Sequence, residues 1–195
     1  MEWIPALVIG YALGAIPFGL LLTRMAGAGD LRSVGSGNIG ATNVLRTGRK
    51  GLAAATLLLD LLKGLAAVLI VGALWPAMAP FAAFGAFLGH CFPVWLRFRG
   101  GKGVATTAGI ALGLAWPVGL AYALTWIAIL LTVRISSVAG MTAAVAAPLV
   151  ALGLGETGTA GVLALVAAIV LYQHRENIAR LRAGTEPRIG SGRKG

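Results

Sequence analysis

Apolar runs alternate along the chain with short polar, glycine-rich stretches. Residues 3–22 form the first run and predict one membrane-crossing helix, because about 20 residues rising ~1.5 Å each cover a hydrocarbon core. A polar stretch follows, from Thr23 to Gly51. Residues 52–96 exceed one helix and break at 75–80, Trp75 to Pro80, so they predict two. The run from Gly103 to Val133 has 31 residues, long for one helix and short for two. Gly113 to Pro117 interrupts it, and proline breaks a helix interior, so a short re-entrant or thin-membrane pair is expected. Residues 138–172 break between Gly153 and Gly158 and predict two more. The expected fold is an all-α integral membrane protein of seven transmembrane helices. Residues 1–182 are expected to form one domain, with a polar, basic tail over 183–195 that frays. No internal repeat is evident.

Composition agrees with a bilayer as solvent. The chain is 58% hydrophobic and 11% charged, against about 25% charged in soluble domains, and mean hydropathy is +0.87. Disorder and an ordinary soluble domain are both excluded. The net charge of +10 would suggest nucleic acid in a soluble chain. Here the basic residues lie between apolar runs, so no nucleic-acid partner is expected. With seven spans, Met1-Glu2 and the connectors 75–80, 113–117 and 153–158 share one side and hold no Lys or Arg. The other side holds 15 of the 16 basic residues, the exception being Lys63. The positive-inside rule then places the N-terminus outside and the C-terminus and the short glycine-rich loops in the cytoplasm. A single helix over 103–133 would lose this asymmetry. Met1-Glu2-Trp3 offers no basic leader, so the first run reads as a retained span. Cys91 is the one cysteine, which excludes an intrachain disulfide, and it reads as a small buried hydrophobe.

Three polar clusters fall on the basic side. The first, Gly35 to Arg46, contains Ser36, Gly37, Asn38, Gly40, Thr42 and Asn43. Its glycines let a backbone approach a ligand, and its Arg46 offers a planar fork that matches phosphate. It is not a Walker A loop, because no Gly-Lys-Ser/Thr follows. The second runs from Arg97 to Thr106. Gly100, Gly101 and Gly103 surround Lys102 where a helix opens, and unpaired N–H groups at a helix start favour anions. Arg97 and Arg99 read as charges snorkelling at the membrane boundary. The third starts at His174, with Asn177 and Arg180 on the same face if the last span continues. Arg182, Arg188, Arg193 and Lys194 are expected to meet anionic lipid. Asp60 and Lys63, at i and i+3 inside a span, should face the bundle interior, either as a structural ion pair or as part of the site. His90 reads as a core histidine bonding the cytoplasmic loops, and Gly85 and Gly89 as aids to close helix packing.

With these motifs the sequence resembles the bacterial membrane acyltransferases of the PlsY type over almost its whole length. The matching residues are Ser36 to Asn43 with Arg46; Gly89-His90 through Phe98, then Gly100 to Thr106; and His174, Asn177-Ile178, Arg180-Leu181, Gly184 and Glu186. Gln173 and Trp95 depart from the family's common residues. The resemblance implies acyl transfer from acyl phosphate to glycerol 3-phosphate, giving lysophosphatidic acid and phosphate. It further implies a bacterial plasma-membrane location and a site lined by Ser36, Arg46, Lys102, His174 and Asn177. Neither a cofactor, a metal nor an obligate protein partner is expected.

The His-x4-Asp pair of other glycerophosphate acyltransferases is absent: Trp95 and Ala179 stand five positions after the two histidines. Acyl phosphate is a mixed anhydride with a good leaving group, so direct attack by the C1 hydroxyl needs no acyl-enzyme. Catalysis then rests on placement and electrostatics. Either the donor phosphate or His174 takes the proton. The main rival reading is an organophosphate transporter, which normally shows repeats and a midplane site. A second rival is a non-catalytic lipid-binding subunit, which leaves the glycine-rich motifs unexplained.

Overall fold

The computed structural model describes residues 1–190. Ten α-helices run in order: α1 Trp3–Gly14, α2 Phe18–Met25, α3 Ala41–Leu45, α4 Lys50–Leu74, α5 Ala79–Cys91, α6 Val104–Leu114, α7 Trp116–Val133, α8 Ser136–Gly153, α9 Thr157–Gln173 and α10 Arg175–Arg182. Among the described residues five helical segments are long and apolar enough to cross a membrane, counting α1 with α2 as one and α5 with its flanking turns (Pro76–Leu96) as another, and six if the bent pair α9 and α10 counts as a span. The predicted connectors at 75–80, 113–117 and 153–158 all appear as breaks.

Three details differ from the sequence expectation. The first run is not one continuous helix. Pro17 has no N–H to donate, so the helix stops at Gly14 and restarts at Phe18. The last span does not continue straight through His174: α9 and α10 meet there at 57°. The tail up to Ile189 is also tied down rather than frayed, because the Ile189 N–H donates to the Arg134 carbonyl at 2.7 Å. Arg193 and Lys194 lie outside the described residues. The helix α6, with 11 residues, rises only about 16 Å, roughly half of a hydrocarbon core. Its partner α7 is long enough to cross, so 103–133 holds one short and one full-length helix, and among the described residues helix length gives five or six spans rather than the expected seven.

The chain divides into two compact units, Met1–Leu114 and Ala115 onward. In the first, α1 packs along α5 and α4 packs along α6. Gly10 and Gly14 of α1 face Ala82 and Ala86 of α5, while Gly85 and Gly89 of α5 face Leu7 and Tyr11. A methyl at any of the four would collide with a backbone carbonyl. This is the paired small-xxx-small surface by which membrane helices gain van der Waals contact. In the second unit, α8 packs against both α7 and α9. Its buried face is built of small residues, including Ala139, Ala143, Ala147 and Ala151.

Candidate active site

The first motif is a self-bonded loop between α2 and α4. Asn43 is its hub and only 2% exposed. Its amide donates to the carbonyls of Leu31, Val34 and Asn38 at 3.0, 2.9 and 2.8 Å, and its side-chain oxygen accepts the Ser36 N–H at 3.2 Å. Asn38 accepts the Gly40 N–H at 2.9 Å, which turns the chain into the short helix α3. Asn43 thus serves the loop, whereas sequence reasoning placed it among the substrate contacts. Ser36, Thr42 and Arg46 stay exposed. Arg46 folds back over Gly35, whose φ of +55° and crowded Cα leave no room for a side chain. Ahead of the loop, Asp30 clasps Arg32 at 2.6 Å, and that guanidinium holds the Asp30 carboxyl well below the usual carboxylate range.

The second motif hangs from the end of α5. The Gly100 N–H donates to the Cys91 carbonyl and the Gly101 N–H to the His90 carbonyl, each at 3.0 Å. Gly101 lies flat against the buried His90 ring, and Gly100 against the His90 carbonyl, so neither has space for a Cβ. Both glycines therefore have a packing reason beside the anion-binding one expected from sequence. Gly103, with φ of +82°, passes the Phe87 ring and leads into α6. Lys102 is half-buried between two buried glycines. The turn over 92–99 is fixed to α1, since Tyr11 donates to the Phe92 carbonyl at 2.7 Å and the Trp95 indole to the Ala15 carbonyl at 3.0 Å. Arg97 and Phe98 both adopt positive φ, 52° and 60°, which is costly for non-glycine residues. A cavity of about 430 Å³ lies there, lined by Arg32, Gly37, Trp95, Leu96, Arg97 and Arg99. It brings the first motif's Gly37 beside Arg97 and Arg99 of the second. Sequence reasoning treated Arg97 and Arg99 only as boundary charges.

The third motif forms a separate cluster in the second unit. His174 is buried at the α9–α10 bend, and its Nδ1 lies 2.8 Å from the Val170 carbonyl. A carbonyl only accepts, so Nδ1 carries a hydrogen and donates it. Glu186 is the centre of the cluster, with a side chain only 6% exposed. It accepts from Ser137 at 2.6 Å, Asn177 at 2.5 Å and Arg180 at 2.7 Å. Burial raises the Glu186 pKa, but the three bonds and the Arg180 charge outweigh it and hold the carboxyl below its ordinary value. Ser137 is missed from sequence, and Glu186 is placed there in the third polar cluster and in the resemblance without a role. The one available signal was a carboxylate in an otherwise basic tail.

Among the described residues, no group of three or more His, Cys, Asp or Glu is placed to hold a metal ion. The arrangement is an all-helical membrane-type scaffold whose glycine-rich turns carry guanidinium, ammonium and hydroxyl groups suited to phosphate. A family profile described as glycerol-3-phosphate acyltransferase matches residues 4–184. The glycerol-3-phosphate acyltransferase of Novosphingobium aromaticivorans is 68% identical over 98% of this chain and 97% of its own. That of Erythrobacter litoralis is 59% identical over 95% and 94%. The crystal structure of PlsY, an integral membrane glycerol 3-phosphate acyltransferase in its glycerol 3-phosphate form, matches with a TM-score of 0.92 and 36% identity, covering 97% of this chain and 96% of that one. Its lysophosphatidic acid form matches at 0.89 and 34%, with the same coverage. The chain belongs to the glycerol-3-phosphate acyltransferase family.

Proposed function

We propose that the protein moves a fatty acyl chain from acyl phosphate to the C1 hydroxyl of sn-glycerol 3-phosphate, the first step of phospholipid synthesis. The observation that carries this reading is the full-length likeness to an acyltransferase seen with glycerol 3-phosphate in one structure and lysophosphatidic acid in another. The C1 oxygen attacks the acyl carbonyl, the bond from that carbonyl to the phosphate oxygen breaks, and inorganic phosphate leaves. No acyl-enzyme forms. Arg46 and Lys102 offset the repulsion between two bound phosphates, each charge-assisted hydrogen bond contributing roughly 1.5–3 kcal/mol. Ser36 and the backbone of Gly37 and Gly40 cradle the donor phosphate. Asn43 sets the shape of that cradle. Gly100, Gly101 and Gly103 shape the turn that presents Lys102. Asn177 and His174 position glycerol 3-phosphate, and the donor phosphate takes the hydroxyl proton.

In the same reading residues 1–182 act as one domain of seven crossings, with the short α6 and the full-length α7 as two of them. The N-terminus is outside, the reaction faces the cytoplasm, and the chain sits in the bacterial inner membrane with no obligate protein partner. Support comes from the one-sided distribution of Lys and Arg. The test is to incubate detergent-solubilised protein with labelled glycerol 3-phosphate and, in separate reactions, acyl phosphate, acyl-CoA or acyl carrier protein. Labelled lipid is expected with acyl phosphate alone. Product from either other donor, or none from acyl phosphate, overturns the donor assignment. Labelling of cysteines placed at 46 and 174 from opposite membrane faces would overturn the topology.

A further inference from the structure

The proposed reaction leaves the buried Asp60, Lys63 and His90 side chains of the first unit without a role. Asp60 and Lys63 on α4 are 3% and 5% exposed, and His90 on α5 is 4% exposed. Lys63 Nζ lies 2.7 Å from Asp60 Oδ1 and donates to the Ile16 carbonyl at 2.8 Å, at the break that Pro17 opens between α1 and α2. It also sits 5.8 Å over the Phe18 ring. Asp60 Oδ1 is 3.7 Å from His90 Nδ1. The far side of the same imidazole, at Nε2, lies against Gly101, whose N–H is bonded to the His90 carbonyl. One residue after Lys63, Gly64 lies against the Thr106 carbonyl in the first turn of α6. The turn that presents Lys102 is thus gripped on both sides, by His90 before it and by the α4 surface beside Lys63 after it.

We propose that Asp60, Lys63 and His90 form a positioning device that locks the Gly100–Lys102 turn against the α1–α2 break. The inference rests on the reading of Lys102 as a phosphate-holding group. A salt bridge in an apolar interior is a poor source of stability, since well-packed apolar residues usually serve as well. What the pair supplies instead is a fixed geometry. Its two members tie α4 to a broken helix on one side and face an imidazole on the other, and that imidazole is the wall against which Gly101 rests. Loosening the pair frees the ring, and freeing the ring frees the turn.

The test uses the double variant Asp60→Asn/Lys63→Met, which removes both charges together and so leaves neither stranded. Three quantities are measured in detergent: melting temperature, steady-state kinetics, and amide exchange of the peptide spanning 98–104. The inference expects a melting temperature close to that of the parent protein. It also expects at least tenfold faster exchange confined to that peptide and a tenfold or larger rise in KM for glycerol 3-phosphate. Unchanged exchange at 98–104 overturns it. A drop in melting temperature with faster exchange everywhere also overturns it, because the trio is then only structural. Should the double variant fail to insert, Gly101→Ala pushes the turn away from the His90 ring from the other side. It is expected to give the same local exchange and KM change, and normal exchange there overturns the inference as well. Faster local exchange with an unchanged KM supports the device and instead refutes the role given to Lys102.

Discussion

Replacing Asn43 by alanine separates a group that holds the loop from one that touches substrate. The side chain makes four hydrogen bonds, three donated to backbone carbonyls and one accepted from the Ser36 N–H. An intramolecular hydrogen bond contributes about 1 kcal/mol net, give or take half. The amide has two hydrogens for three acceptors, so one is shared, and the four bonds amount to roughly 2–4 kcal/mol rather than their full sum. For a chain of this size each kcal/mol lowers the melting temperature by about 2–4 °C, a fall of roughly 4–16 °C. Asn43→Asp is the sharper variant. It keeps shape and volume but turns a carboxylate oxygen toward three carbonyls, so it should destabilise at least as much as alanine. Thermal unfolding and steady-state kinetics on the same purified variants provide the assay. Both variants are expected to melt earlier, with KM for acyl phosphate raised because the donor cradle loosens. A parent-like melting temperature with a raised KM would refute the reasoning and return Asn43 to the ligand.

Lys102→Ala and Arg46→Ala are each expected to abolish turnover while the protein still inserts and melts cooperatively; parent-like activity of purified Lys102→Ala removes the phosphate-site argument. Glu186 supplies a pH dependence. Its folded-state pKa lies below the ordinary 4.5, so its stabilisation is present in full above that value and is lost as pH falls through the lower folded-state pKa. Glu186→Gln should therefore melt earlier at pH 7 and show a shallower loss of stability on acidification below 4.5; parallel pH profiles for the two proteins would show that the carboxylate is not the source. Gly89→Val places a branched side chain against the Tyr11 carbonyl and should separate α1 from α5, with loss of folded protein by size-exclusion chromatography; a monodisperse, active variant contradicts the close packing.

The apolar runs and the breaks at 75–80, 113–117 and 153–158 were legible because hydropathy is a local property and each break stands in the sequence beside the run it ends, whereas the count of seven spans is not reached by helix length. The break at Pro17 was not read, since one proline inside 20 apolar residues does not change the run's hydropathy while it does remove a backbone donor. The bend at His174 has no such marker. Its consequence is that Glu186 reaches Asn177, nine residues back, and Ser137, 49 residues back. A partner at that separation leaves no trace in periodicity or in residue type. The glycines carried a double meaning. Gly100 and Gly101 read as part of an anion-binding helix start, and in the structure their N–H groups are also bonded to the Cys91 and His90 carbonyls.

Residue type therefore marks where donors gather without saying whether a donor faces the ligand or the loop. In the first motif the two uses depend on each other. Asn43 satisfies the carbonyls of Leu31, Val34 and Asn38, so the loop needs no further donor to hold its shape. Ser36 and Arg46 are left exposed on a backbone that is already fixed. A donor held still before its ligand arrives loses little entropy on binding and reorganises little as charge develops. On that argument the buried asparagine makes the exposed serine and arginine effective. A loop of the same composition with Asn43 turned outward would present the same groups to phosphate and bind it more weakly.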